Sequence, residues 1–277
     1  MPLGVEKMIK LFACDLDGTL IRWFDEENGL FTNEDINAIQ NLQKSPMHFL
    51  VNTSRQIHFL DHLMIPELMH LDTIAGAGST IRLNDEIVVY HVFEKDEIQQ
   101  LISYFKDIDY CQLLAVTNKK NMISTNHNNS RYQRLQNDEI DREFGHLSPI
   151  ILQDYSFAED EVINFFYVNT DLDDNLEFYH QLRDDLGQFE IIRCSLEAMQ
   201  ITKLHVNKKN ALLQVMEQLQ LNSDEVAVIG DSYNDLFLFE EFEHSFVMSH
   251  ASEEIKKYAK YQVDSVAAAI QIAKELR

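Results

Sequence analysis

The sequence predicts an α/β fold: a doubly wound parallel sheet of Rossmann-like type, with an α+β unit inserted into it. Three observations predict it. Short continuous apolar runs at residues 8–14 (MIKLFAC), 48–52 (HFLVN) and 226–230 (VAVIG) each end in a polar loop, DLDGT, TSR and DSYND. Helical patterns alternate with these runs, and that rhythm belongs to a parallel sheet covered by helices. Residues 84–199 differ in texture, with aromatic-rich strands and a long polar stretch. A length of 277 residues accommodates such a two-part chain.

The elements follow in order. MIKLFAC reads as a strand feeding DLDGT. Thr32, followed three residues later by Asp35, resembles a capping box, and Ile36, Ile39 and Leu42 recur at helical spacing, so a helix is predicted over 33–44. HFLVN is the next strand, residues 56–64 the next helix and LDTIAG (71–76) a third strand. TIRLNDEIVVY (80–90) alternates as a hairpin about Asn84-Asp85. In the middle, helices are predicted over 95–106 and 174–186 and a strand at VINFFYV (162–168). The two-strand grammar then returns: Leu212, Val215, Met216 and Leu219 share one face of a helix over 208–220, VAVIG forms a buried strand, and helices follow at 252–260 and 265–276. The expected domains are therefore a core of residues 1–83 and 200–277 and an insert of 84–199.

Composition narrows the function. With 45% hydrophobic and 25% charged residues the chain can bury a core. Its net charge of −23 argues against nucleic acid and anionic membrane surfaces as partners. No apolar run is long enough to span a bilayer, and MPLGVEKMIK lacks the apolar stretch of a signal peptide, so a cytoplasmic protein is expected, a monomer or small homo-oligomer. Cys14, Cys111 and Cys194 are scattered, which suits buried thiols better than disulfides or zinc ligands.

Asp15-Leu16-Asp17-Gly18-Thr19-Leu20 carries the chemistry. Two carboxylates two positions apart at a strand end repel unless a cation or shared proton relieves them, which suggests a magnesium site. One carboxylate suits a metal ligand and nucleophile, its neighbour a general acid and base. Gly18 permits a sharp turn and a close approach of phosphate. In a parallel α/β sheet, loops at the carboxyl ends of strands meet at the ligand site, so DLDGT, TSR and DSYND are expected to converge.

DLDGTL resembles the first motif of the haloacid dehalogenase superfamily of phosphohydrolases. Thr53-Ser54-Arg55 resembles the second motif, often T-G-R in the Cof-type subfamily, Lys208 resembles the third-motif lysine, and Gly230-Asp231-Ser232-Tyr233-Asn234-Asp235 resembles the fourth motif, G-D-x-x-N-D. The resemblance implies Asp15 as nucleophile and Asp17 as acid/base. It implies Thr53, Ser54, Lys208 and Asn234 around the phosphate, and Mg2+ held by Asp15, Asp17 (through its backbone carbonyl), Asp231 and Asp235. About 150 residues separate Arg55 from Lys208, and an α+β insert there resembles a type IIB (C2B) cap. The sequence departs from the pattern at Ser54, where glycine is frequent, and at Ala77-Gly78, where Asn-Gly is frequent.

The expected function is thus a Mg-dependent phosphatase that removes phosphate from a small metabolite through an aspartyl-phosphate. A phosphomutase or phosphotransferase, or a non-catalytic phospho-ligand sensor, are the rival readings. Residues 84–199 hold 23 acidic against 9 basic side chains, which favours leaving groups that carry a single phosphate. Tyr104, Phe105, Phe165, Phe166 and Tyr167 are expected in the core rather than lining a pocket; Lys119, Lys120, Arg131 and Arg134, the basic cluster of the insert, are expected in a solvated loop.

Overall fold

The computed structural model describes residues 8–22, 30–42, 44–118, 122–125 and 150–276. In chain order the elements are β1 (Leu11–Cys14), α1 (Asn33–Leu42), β2 (His48–Asn52), α2 (Ile57–Leu63), β3 (Asp72–Ala75), β4 (Thr80–Leu83), β5 (Glu86–Tyr90), α3 (Lys95–Phe105), β6 (Cys111–Thr117) and β7 (Met122–Ser124). They continue with β8 (Ile163–Thr170), α4 (Leu176–Asp185), β9 (Phe189–Arg193), β10 (Ala198–Lys203), α5 (Lys208–Leu219), β11 (Val226–Gly230), α6 (Leu236–Glu241), β12 (His244–Met248), β13 (Tyr261–Val263) and α7 (Val266–Glu275). The chain divides into two compact units at Ser54/Arg55, Leu63/Met64, Val88/Val89 and Asn207/Lys208.

The first unit is built on an eight-stranded sheet of order β13-β12-β11-β1-β2-β3-β4-β5. From β13 to β3 every pairing is parallel, and β4 returns antiparallel on β3. The chain moves outward from β1 through β2 and β3, then comes back to place β11 on the other side of β1. That reversal is the switch point at which ligands bind in open α/β sheets. Every residue of β1 and β11 is buried, as their unbroken apolar sequences require of strands covered on both faces. Phe12 stacks on its register partner Phe49 at 5.9 Å and meets Phe246 of β12 at 6.1 Å, while the small Ala227 pairs with it on β11.

Local signals explain the helices. Thr32 Oγ1 accepts the Asp35 amide at 3.1 Å and donates to Asp35 Oδ2 at 2.8 Å, starting α1 as its sequence predicts. The other oxygen of the fully buried Asp35 accepts the Ala267 amide at 2.7 Å, which ties the start of α1 to the first turn of α7. Asn84 and Asp85 adopt φ of 51° and 63°, the left-handed pair that a two-residue hairpin turn requires. The helix expected over 252–260 is reduced to a single 3-10 turn, Ile255–Lys257. Ile255 is its one buried side chain, and the Lys260 amide bonds to the Ser245 carbonyl at 3.1 Å, drawing the chain into β13 instead.

The second unit is a five-stranded antiparallel sheet of order β7-β6-β8-β10-β9. One face packs on α3 and α4 around Leu101, Phe105, Phe166, Phe178, Leu182 and Met199. Phe105, Phe165 and Phe166 are core, as expected, whereas Tyr104 and Tyr167 are only half-buried and pack against its margin. Three stretches depart from the expected limits of 84–199, the first being residues 84–88, which stay with the eight-stranded sheet of the first unit. β10 belongs whole to the antiparallel sheet, which carries the second unit beyond residue 199, and Arg55–Leu63 joins it as well. Phe59 of α2 packs on Leu114 and Val116, and Gln56 Nε2 donates to the Val116 carbonyl at 2.7 Å. A short helix that follows a core strand in sequence has its apolar partners on the other sheet, which its own periodicity does not encode. Lys119, Lys120, Arg131, Arg134 and His127 lie outside the described residues.

At the amino ends of the two central strands, the Lys10 amide bonds to the Glu225 carbonyl and Lys10 Nζ lies 2.5 Å from Glu225 Oε1. Glu225 Oε2 accepts the Asn222 amide at 2.9 Å, closing a capping box. The Lys10 ammonium, followed by the Asn222 amide, holds the Glu225 carboxyl down at about 2. A folded value below the ordinary one of about 4.3 means the contribution to stability is complete above that pH and fades as pH falls towards 2. Melting curves of wild type and Glu225→Ala are expected to differ most at neutral pH and to converge through that window; a pH-independent gap would show that the charge plays no part.

Candidate active site

Three loops leave the carboxyl ends of β1, β2 and β11, and Asp15, Thr53, Ser54 and Asp231 on them belong to the first unit. Asp15 leaves β1 with its amide bonded to the Ile229 carbonyl of β11 at 2.9 Å. The loop that follows is folded by its own backbone: the Ile21 amide reaches the Leu16 carbonyl at 2.7 Å and the Gly18 amide the Ile21 carbonyl at 2.9 Å. Leu16, Leu20 and Ile21 anchor it by full burial. Gly18 has φ of 81°, and a Cβ built there would lie 2.2 Å from Asp231 Oδ2. Glycine is therefore needed both for the turn and for the approach of the DSYND loop.

Lys208, the first residue of α5, is 2% exposed and lies between two carboxylates. Its Nζ donates to Asp15 Oδ1 at 2.5 Å and to Asp235 Oδ1 at 2.8 Å. Burial by itself would depress the ammonium, but Asp15 and Asp235 outweigh it and raise its pKa, keeping it charged. Asp235 is fully buried, and its Oδ2 accepts the amides of Asp231 and Ser232 at 3.1 and 3.2 Å. A Cβ on Gly230 would lie 2.3 Å from that same carboxylate, so Gly230 makes the room that Asp235 occupies.

Carboxylate oxygens of Asp15, Asp231 and Asp235 come within 4.8 Å of one another, the one such His/Cys/Asp/Glu cluster among the described residues. Thr19 Oγ1 donates to Asp231 Oδ1 at 3.4 Å. Three acids face one lysine. Burial raises the Asp15 carboxyl well above the carboxylate range, with Lys208 opposing and Asp235 and Asp231 adding to the rise. Asp231 is raised too, chiefly by burial, with His250 opposing and Asp235 adding. The donor set is all oxygen, buried and short of positive charge, which fits a hard divalent cation such as Mg2+.

Of the four residues expected around a metal, Asp15, Asp231 and Asp235 therefore come together, while the Asp17 carboxylate is not part of the triangle. Both oxygens of Asp235 already carry hydrogen bonds, which makes it a brace for Lys208 and for the loop. Thr53 is fully buried, its amide on the Ile74 carbonyl and its carbonyl on the Ala77 amide. Ala77 takes φ of 53°, a left-handed backbone that asparagine adopts more readily than alanine. Ser54 and Asn234 are bonded to each other, Asn234 Nδ2 to Ser54 Oγ at 2.8 Å.

Two contributors were not read from the sequence. Asn52 Nδ2 donates to the Lys208 carbonyl at 3.2 Å, joining the end of β2 to the start of α5. His250 Nε2 lies 3.7 Å from Asp231 Oδ2. A signal for His250 existed: SFVM is one more apolar run that ends in a polar loop, Ser249-His250.

Lys208→Met leaves two buried carboxylates without their cation and is expected to cost roughly 3–5 kcal/mol of stability. Denaturant unfolding measures it, and a loss below about 1 kcal/mol, the range of exposed pairs, would contradict the buried geometry. Gly230→Ala is expected to displace Asp235 and to lower stability through the same residues.

The haloacid dehalogenase-like hydrolase family model matches residues 12–276. A 5-amino-6-(5-phospho-D-ribitylamino)uracil phosphatase of Bacillus subtilis is 24% identical over 258 residues, 93% of this chain and 90% of that protein. A haloacid dehalogenase-like hydrolase structure from B. subtilis superposes with a TM-score of 0.79 at 18% identity, covering 95% of this chain and 99% of that one. The subclass IIB sugar phosphatase BT4131 superposes at 0.74 with 16% identity, covering 95% and 98%. Matched from β1 to the end of α7, the chain belongs to the haloacid dehalogenase-like hydrolase family.

Proposed function

We propose that this hydrolase is a Mg2+-dependent phosphatase that removes the single phosphate of a small metabolite through an aspartyl-phosphate on Asp15. The observation that supports it most is the buried Lys208 ammonium, 2.5 Å from Asp15 and flanked by two further carboxylates at the switch point of the sheet. Phosphoryl transfer needs charge neutralisation and in-line placement of this kind.

In this reading Asp15 and Asp231 would hold the cation together with the Asp17 backbone carbonyl, with Asp235 bracing the set. The cation supplies positive charge against the phosphoryl oxygens. Thr53, Ser54, Lys208 and Asn234 line the phosphate side. The free oxygen of Asp15 attacks phosphorus, the ester P–O bond breaks, and Asp17 gives its proton to the departing oxygen. Asp17, now a carboxylate, then takes a proton from the water that attacks phosphorus, releasing inorganic phosphate and restoring Asp15. The inserted α+β unit selects the leaving group. Its acidic surplus favours monophosphates, and the B. subtilis relative's phosphoribityl substrate and the sugar phosphatase neighbour point the same way, to a phosphorylated sugar, polyol, nucleotide or cofactor. Three free cysteines suit a reducing, cytoplasmic setting, and the same acidic surplus leaves no role for nucleic acid.

A panel of phosphorylated metabolites assayed with Mg2+ and with chelator tests the reading. Free phosphate is expected only with Mg2+, with Asp15→Asn inactive and Asp17→Asn reduced by about 10²–10⁴-fold. Undiminished turnover by Asp15→Asn would overturn the mechanism, and an isomeric phosphate ester as product would make the protein a mutase. Within the panel, monophosphates are expected to exceed bisphosphates and nucleoside triphosphates in kcat/KM.

A further inference from the structure

The carboxamide of Asn234 is held at both ends. Its Nδ2 donates to Ser54 Oγ at 2.8 Å and its Oδ1 accepts from Ser232 Oγ at 2.8 Å. Ser54 stands in the loop after β2, whereas Ser232 and Asn234 stand in the loop after β11, and those strands flank β1 on opposite sides. The Ser54–Asn234 bond thus links the two loops that border the end of the strand from which Asp15 emerges. Ser232 Oγ–H donates to the carboxamide oxygen and Ser54 Oγ accepts from its nitrogen. Two hydroxyls use one N–H and one lone pair, so one N–H of Asn234 is left, in a set orientation, for a further acceptor.

We propose that Ser54 is a positioning residue, whose hydroxyl locks the Asn234 carboxamide so that its second N–H is presented to a phosphoryl oxygen of the substrate. Glycine at position 54 would offer no such hydroxyl and so no bond to Asn234. The assignment rests on the phosphatase reading, in which Asn234 contacts phosphate. A neutral hydrogen bond of net value about 1 kcal/mol corresponds to about a 5-fold change in rate or affinity.

The test is a double-mutant cycle on kcat/KM for p-nitrophenyl phosphate, with wild type, Ser54→Ala, Asn234→Ala and the pair. Ser54→Ala is expected to lose about 5-fold, Asn234→Ala more, and the double variant no more than Asn234→Ala alone, with Ser54→Thr restoring most of the loss. Losses that multiply would mean that Ser54 serves the substrate independently, and an unaffected Ser54→Ala would remove its role; either overturns the proposal. A second arm needs no turnover. The side-chain amide protons of Asn234, followed by NMR in the free protein, are expected to exchange slowly in wild type and quickly in Ser54→Ala, and fast exchange in wild type overturns the clamp. Should wild type hydrolyse no phosphomonoester while the amide is protected, the phosphatase reading fails and with it the phosphate as acceptor, the clamp itself standing.

Discussion

The structure of the first unit depends on one buried cation, the Lys208 ammonium between Asp15 and Asp235. A lysine so enclosed is tolerable only because two carboxylates lie within hydrogen-bond distance, and two carboxylates so enclosed are tolerable only because the lysine is there. The neighbouring contacts serve this arrangement. Asn52 holds the backbone of Lys208, the amides of Asp231 and Ser232 hold the far oxygen of Asp235, and Gly230 leaves the space that Asp235 fills. Asp231, the third acid, has no lysine of its own, and burial raises its pKa, with Asp235 adding, as burial raises that of Asp15.

Sheet topology explains why these groups meet at all. Asp15 and Lys208 are 193 positions apart in sequence, yet β1 lies between β2 and β11, and the loops after all three open at the same end. Full burial of β1 and β11 gives their termini little freedom, so the polar loops that leave them inherit fixed starting points. The long intervening unit has its own sheet and apolar core.

Much of this was legible in the sequence because the signals are local. The continuous apolar runs gave the central strands, Thr32 and Asp35 the start of α1, and Asn84-Asp85 the hairpin turn. The acidic loop after β1 drew attention to Asp15, and the resemblance to the family's motifs singled out Asp231, Asp235 and Lys208. What escaped depends on partners distant in the chain. Residues 252–260 have helical composition but one buried anchor, and pairing with Ser245 decides their shape. α2 carries an ordinary apolar pattern whose partners are Leu114 and Val116. Ser54 read as a departure from a glycine pattern, and only the fold shows that its hydroxyl meets Asn234.

The central claim is that Asp15, held against Lys208, is the group that accepts the phosphoryl group. Acid quenching during turnover of a 32P-labelled phosphomonoester, followed by proteolysis and mass spectrometry, tests it most directly. The account predicts label and an 80 Da increment on the peptide that contains Asp15, lost on treatment with hydroxylamine. Steady release of phosphate with no label on protein at any quench time, or label on a different residue, would contradict it.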